Sequence, residues 1–310
     1  MQIINITHGD LPCTDASPSV VALGNFDGVH IGHVCLIRKA VETANKMGVE
    51  CAVFTFARHP ETVLVSRNAP SIMTLDDKLA VFEELGVDRV YLGDFETLRG
   101  LSPDEFVNGV LKSQANAVWA VCGFNFRFGK GGLGTPADLV RLMDGKSSVI
   151  EPVTLGEQTV SSSLIRSFIE GGKPERALEM LGRPFYINFP VIHGKHLGRC
   201  IGVPTINQDF PKGHIIPECG VYACKVYVGG KDYIGVANVG SHPTVDNEAP
   251  VNCETHIIGY SGWLYGEHIK VSFYKKVRDE KKFSSVDELV IQITQDIADV
   301  KEYFNTEKEK

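Results

Sequence analysis

The chain has 310 residues, 43% hydrophobic and 22% charged, with a formal net charge of −7. That length allows two domains of ordinary size, and the apolar fraction can fill their cores. The mild acidic excess, with no basic run, argues against a nucleic-acid or membrane-surface partner, so any polyanionic ligand must be met by a local site.

The opening MQIINITHGD lacks the basic-then-apolar layout of a secretory signal. No apolar run approaches the ~18 residues of a membrane span. The eight cysteines are scattered without a C-x-x-C pair, which reads as reduced thiols in a cytoplasmic protein and not as a zinc site. Up to about residue 160, short apolar runs alternate with helical patterns. Strands are predicted at 20–23, 50–56, 89–93, 117–123 and 148–153, and helices at 34–47, 75–85, 103–113 and 136–143. In the first helix Val34, Ile37, Val41 and Ala44 recur at spacings of three and four. This order predicts an α/β domain with a parallel sheet covered by helices. Ligands of such sheets bind at the carboxyl ends of strands.

From 161 the grammar changes. Ser161 to Ser163 precede an apolar pattern of Leu164, Ile165, Phe168 and Ile169, as at a helix N-terminus. A short helix is predicted at 174–182, followed by closely punctuated β-rich runs that suggest an antiparallel barrel or sandwich. A last helix is predicted at about 284–304, with Ser284 or Ser285 as cap and Asp287 and Glu288 in its first turn. The domain boundary falls near 183, giving domains 1–183 and 184–310.

Three segments carry chemistry. In GNFDGVHIGH, Gly24 and Gly28 permit backbone shapes and close approach that a Cβ blocks. A helix beginning near Ile31 offers unpaired N–H groups, and His30 and His33, three apart, share a side. Imidazoles there can donate to phosphate oxygens, and Gly32 leaves room for a nucleotide. The plainer reading is a turn with two surface histidines. In TVSSSLIRSFIE, Arg166 lies in a first turn, where the helix dipole disfavours a cation by some tenths of a kcal/mol unless an anion binds. An Arg166–Glu170 pair is the alternative. In HGKHLGRCIGVPTINQ, Pro204 favours an extended chain, so Thr205 and Asn207 point the same way. Their hard oxygens, with ATP phosphates, suit Mg²⁺, and Gly194, Gly198 and Gly202 would let the backbone wrap phosphates. A glycine-rich hairpin with two incidental polar residues is the alternative.

The HxGH string in GNFDGVHIGH is the signature of the nucleotidylyltransferase superfamily, and SSSLIR resembles its serine-rich phosphate motif. CGFNFRFGKGGLG at 122–134 narrows the match. From about residue 15 to 305 the chain resembles the bacterial bifunctional riboflavin kinase/FMN adenylyltransferases, or FAD synthetases. The resemblance implies a Rossmann-like adenylyltransferase domain followed by a small antiparallel kinase barrel with a terminal helix. It implies phosphorylation of riboflavin to FMN in the barrel and adenylylation of FMN to FAD in the first domain. It implies ATP as co-substrate and, with the hard oxygen ligands, Mg²⁺ as cofactor, for which Mn²⁺ could substitute.

On this resemblance His30 and His33 hold the triphosphate, and Gly24, Asn25, Phe26, Asp27 and Gly28 form the nucleotide loop. Ser162, Ser163 and Arg166 grip phosphates, Asn125 and Arg127 place FMN or the nucleotide, and Phe56, His59 and Pro60 belong to the flavin site. Phe124, Phe126 and Phe128 alternate, so an ordinary strand is their plainer reading. In the barrel, Thr205 and Asn207 ligate the metal, Glu254 is the base, and 238–244 form a closing loop. Val34, Arg58, Ser163, Phe189, Val203, Ile206, His242 and Gly259 depart from the family pattern. The alternatives are an adenylyltransferase with a degenerate barrel, or a flavin sensor without chemistry. Intact His30, His33, Arg166, Thr205, Asn207 and Glu254 speak against the sensor.

Overall fold

A computed structural model describes residues 1–7, 17–57, 69–194, 198, 201–241 and 251–308. The chain forms two compact units, Met1–Ser162 and Ser163–Lys310.

In the first unit, six strands make one sheet: β1 (Gln2–Ile6), β2 (Ser19–Leu23), β3 (Glu50–Phe56), β4 (Arg89–Gly93), β5 (Ala117–Gly123) and β6 (Ser147–Ile150). All neighbours are parallel, in the order β1-β4-β3-β2-β5-β6. β1 is not among the strands the sequence predicts. Side chains alternate between two cores, as a pleated strand requires. Val21, Leu23, Ala52, Phe54 and Tyr91 face one core with Phe106, Val110 and Leu139. Val20, Ala22, Val53 and Val90 face the other with Ile37, Ala40 and Phe82. Burial on both faces explains why these strands read as unbroken apolar runs.

The connectivity matters for function. From β2 the chain runs outward through β3 to β4, then returns to place β5 on the other side of β2. The carboxyl ends of β2 and β5 therefore flank a topological switch point, where open α/β sheets bind ligands. Gly24 follows β2 and Phe124 follows β5.

In the second unit, a short hairpin of β7 (Thr154–Leu155) and β8 (Gln158–Thr159) having closed the first, two helices precede the barrel: Ser162–Glu170, which starts one residue before the division, and Pro174–Leu181. The sequence boundary near 183 assigns both helices to the first domain. In the structure 163–183 belong with the second unit, where Pro174–Leu181 packs its buried Ala177, Met180 and Leu181 side on β9 and β14. The strands are β9 (Phe185–Pro190), β10 (Thr205–Asp209), β11 (Gly220–Val228), β12 (Lys231–Ser241), β13 (Val251–Ile257) and β14 (His268–Arg278). They are antiparallel in the order β10-β13-β12-β11-β14-β9. The chain beyond β9 meets β10 again through an Ile192–Asn207 bridge, which curls the sheet toward closure. β11 and β12 are joined by Gly229 and Gly230, with φ of 57° and 83°. Two positive φ values in a two-residue turn match the right-handed strand twist, and glycine takes them without a Cβ clash.

The last helix, Val286–Lys308, lies over the outer face of this sheet through Val300 and Phe304 against Ala223, Ile234 and Val236. Ser285 Oγ accepts the Glu288 N–H at 3.2 Å, so of the two caps the sequence offers, Ser284 and Ser285, it is Ser285 that caps. A bidentate ion pair fastens the helix to β14. Arg278 Nε and Nη2 reach Asp296 Oδ1 and Oδ2 at 2.9 and 2.8 Å, and Gln292 also donates to Asp296 at 3.0 Å. Asp296 is buried, so removing it strands a guanidinium beside an apolar seam. Asp296→Ala should lower barrel stability by about 3 kcal/mol, read as a shifted denaturant midpoint at unchanged slope. A loss below about 1 kcal/mol would make this pair ornamental, as surface ion pairs commonly are.

Candidate active sites

The first site grows out of the end of β2. Gly24 begins a turn in which Phe26, Gly28 and Val29 all have positive φ, at 51°, 74° and 35°. Val29 is β-branched and strongly disfavours that region. Several contacts hold the turn. Thr55 Oγ1 and Lys78 Nζ both donate to the Asn25 carbonyl at 3.0 Å. The buried Asp27 carboxylate accepts the Ile72 N–H at 3.0 and 3.3 Å, and the Asp27 carbonyl accepts Ser162 Oγ at 2.9 Å. Phe26 is fully buried, edge-on to Phe82 and His33.

The turn delivers the chain into the helix Ile31–Met47. His30 is its N-cap, and His30 Nδ1 accepts the His33 N–H at 3.2 Å. An imidazole that accepts at Nδ1 carries its proton on Nε2. The two rings stack at 3.6 Å between centroids and 14° between planes. The spacing of three therefore brings both imidazoles together at a helix N-terminus, beside the switch point.

Of the loop residues expected to meet ATP, Phe26 and the Asp27 carboxylate are turned into the protein as its supports. Ser162 reaches the loop through Asp27, Ser163 is exposed, and Arg166 is buried on the helix Ser162–Glu170. Phe56 ends β3, edge-on to Phe54 and Phe95 at 5.5 Å each. His59 and Pro60 lie outside the described residues. Phe124 to Phe128 do not form a strand. Phe126 N–H turns back to the Gly123 carbonyl at 3.1 Å, and Phe128 closes a small loop by exchanging hydrogen bonds with Gly134. Gly129, Gly131 and Gly132 all have positive φ, which bends this segment out of any ladder. Asn125 and Arg127 are exposed on it, while Phe126 and Phe128 stack at 5.6 Å on the Phe106 side of the core.

Lys78 is the residue sequence reading missed. It is 8% exposed, and burial pushes its ammonium below the usual lysine range while the Asp27 carboxylate opposes the shift. The signal was present: Lys78, Val81, Phe82 and Leu85 share one helix stripe, so a charge sits among apolar neighbours.

The second site lies on β10, β13 and β12. Asn207 faces Glu254 across one ladder, and Glu254 faces Asn238 across the next. Thr205, two residues from Asn207, faces His256, whose Nδ1 lies 2.8 Å from the Pro204 carbonyl. Thr205, Asn207 and Glu254 therefore share one face of the sheet. Asn207 is buried, and a Cβ at Gly194 would come within 2.6 Å of its amide. A Cβ at Gly198 would strike the Val203 carbonyl and come 3.5 Å from Thr205 Oγ1. The two glycines thus let the backbone lie on both oxygen-bearing side chains. Gly202 has φ of 80° in the turn before β10. Two further features escaped sequence reading. Glu280 lies against Gly240 beside Asn238. His193, next to Gly194, stacks on Tyr265 at 4.1 Å, with Trp263 edge-on to that ring.

Of the proposed closing loop at 238–244, Asn238 to Ser241 belong to β12, and 242–244, with His242, lie outside the described residues. Phe189, a departure from the family pattern, is a core residue edge-on to His214 at 5.0 Å. Among the described residues, no group of three His, Cys, Asp or Glu side chains could hold a metal ion.

Comparison with known proteins follows the same division. The FAD synthetase family model matches residues 13–164 and the riboflavin kinase model residues 181–304. The bifunctional riboflavin kinase/FMN adenylyltransferase of Bacillus subtilis is 38% identical, covering 98% of this chain and 99% of its own. The Listeria monocytogenes protein of that name is 36% identical over 92% of each. A solved structure named as a macrolide-efflux protein from Streptococcus pneumoniae superposes with a TM-score of 0.88 at 31% identity, covering 97% of this chain and 99% of that one. Among the described residues, no helix is long and apolar enough to cross a membrane. With both halves matched in order and near full-length relatives of one name, the chain belongs to the bifunctional riboflavin kinase/FMN adenylyltransferase family, enzymes that phosphorylate riboflavin to FMN and adenylylate FMN to FAD.

Proposed function

We propose that residues 1–183 transfer the adenylyl group through His30 and His33, and that residues 184–310 phosphorylate riboflavin through Glu254. The observation that carries the first assignment is the stacked imidazole pair at a helix N-terminus beside the switch point. An FMN phosphate oxygen attacks the α-phosphorus of ATP. The bond to the bridging oxygen of the β-phosphate breaks, and pyrophosphate leaves. No protein nucleophile is needed, so positioning and charge stabilisation supply the rate. With Nδ1 accepting the His33 N–H, His30 can donate its Nε2–H to a phosphate oxygen, and the helix N-terminus beside it favours an anion. Gly24, Asn25 and Gly28 shape the nucleotide loop, with Phe26 and Asp27 beneath it. Ser162, Ser163 and Arg166 hold phosphates, and Phe56, His59, Pro60, Asn125 and Arg127 line the flavin side, as in the family motifs.

In the kinase unit the supporting observation is the register of Asn207 opposite Glu254. The riboflavin 5′-hydroxyl oxygen attacks the γ-phosphorus, its proton passes to the Glu254 carboxylate, and ADP leaves. The donor set fits Mg²⁺: two neutral oxygens, Thr205 Oγ1 and Asn207 Oδ1, lie under a glycine cradle that a Cβ would fill. Such a site suits a hard cation completed by phosphate and water, Mn²⁺ included, and Thr205 and Asn207 would hold it. When bound, the cation neutralises charge on the transferred phosphoryl group. The substrates are riboflavin, FMN and ATP, with no role for nucleic acid or membrane, and the enzyme works in the cytoplasm.

His33→Ala should lower FAD formation about 10²–10³-fold while leaving riboflavin phosphorylation within twofold. Glu254→Gln should lower phosphorylation about 10²–10⁴-fold and leave FAD formation from supplied FMN intact. Loss of both activities in either folded variant contradicts the division of labour. Gly194→Ala, which presses on the Asn207 amide, should raise the Mg²⁺ needed for half-maximal phosphorylation about tenfold without altering adenylylation. An unchanged Mg²⁺ titration would remove Asn207 from the metal site.

A further inference from the structure

Lys78 belongs to no motif of either activity, yet it is a buried ammonium beneath the nucleotide loop. The segment from Ile72 to Lys78 touches that loop at three points. The Ile72 N–H donates to the Asp27 carboxylate, and the Ile72 side chain lies 3.0 Å from where a Gly28 Cβ would stand. Lys78 Nζ donates to the Asn25 carbonyl. Thr55 Oγ1 donates to the same oxygen from β3. The Asn25 carbonyl is thus gripped from a strand and from a helix, at the entry to a turn with three positive φ values.

The consequence reaches the imidazoles. Phe26, one residue on, stands between Phe82 of the Lys78 helix and the His33 ring. A shift of the Asn25 carbonyl displaces Phe26 and, through it, the His33–His30 stack. We infer that Lys78 is a positioning residue for adenylyl transfer: its hydrogen bond to the Asn25 carbonyl holds the loop so that His30 and His33 meet the triphosphate in register. The inference rests on the adenylyl-transfer reading of this site. It assigns Lys78 no contact with substrate, and it uses the hydrogen bond rather than the charge.

A purely structural role would give a different pattern. The test compares the full-length protein with Lys78→Met, Lys78→Gln and Thr55→Val. FAD formation from FMN and ATP, and riboflavin phosphorylation, are measured on each preparation with Mg²⁺ present. Lys78→Met should lower the kcat of adenylylation about 10–100-fold, with KM for FMN and phosphorylation within about twofold. Lys78→Gln keeps an N–H donor on a side chain one atom shorter and should recover part of the kcat lost in Lys78→Met. Thr55→Val, which removes the other donor to the same oxygen, should show a smaller loss confined to adenylylation. If Lys78→Met does not fold, Lys78→Gln and Thr55→Val decide. A Lys78→Met enzyme with unchanged kcat overturns the inference. So does a folded Lys78→Gln no faster than Lys78→Met, or a Thr55→Val enzyme with unchanged kcat. An unaltered protein that makes no FAD from FMN overturns the adenylyl-transfer reading itself, and the inference with it.

Discussion

A backbone turn that most side chains resist, Phe26 to Val29, is the constraint around which the first unit is arranged. Residues held at positive φ cost of order 1–3 kcal/mol each and persist only where the surroundings over-determine them. Here the surroundings do so from every side. Thr55 and Lys78 hold Asn25, Ile72 holds Asp27 from one flank and Ser162 from another, and Phe26 is wedged between Phe82 and His33. The product is a helix that starts at a defined point with two imidazoles stacked on its end. The sheet supplies the place: the turn leaves β2 beside the switch point, where chain geometry opens a crevice.

The chain is acidic overall, with a net charge of −7, yet both activities consume ATP. With no general basic field, that requirement falls to local backbone and side-chain donors. The two units do this differently. The first offers helix N–H groups and imidazoles, which suit charge developing at an α-phosphorus. The second offers a hydroxyl and an amide under a glycine cradle, with one carboxylate opposite. Neutral oxygens suit a divalent cation that arrives with phosphates, and the carboxylate suits a hydroxyl that must lose a proton.

Much of this was legible in the chain. β3 spans the predicted 50–56 because both its faces are buried and the six residues from Cys51 to Phe56 are apolar or β-formers. The Thr205–Asn207 alternation behind Pro204 gave a strand with both oxygens on one face, as found. β1 was missed although Ile3, Ile4 and Ile6 are β-branched strand formers; it is a short edge strand, and its isoleucines do not alternate cleanly with polar residues. The Phe124–Phe128 alternation misled because the period of two was there without a partner strand to use it, and the positive-φ glycines after it turned the chain away. The helix stripe marked Lys78 as buried, but its partner could not be read from sequence, since it is a backbone carbonyl 53 residues earlier, brought near only by the fold. The register of Glu254 opposite Asn207 is likewise a property of strand pairing and not of any local motif.

The central claim is that one chain carries two successive chemistries in two separate sites. It is tested most directly by a chromatographic time course of the purified full-length protein with riboflavin, ATP and Mg²⁺. The account predicts that FMN accumulates first and FAD follows after a lag, with FAD formed at once when FMN replaces riboflavin. Riboflavin left untouched while FMN is converted, or no conversion of either flavin, would contradict it.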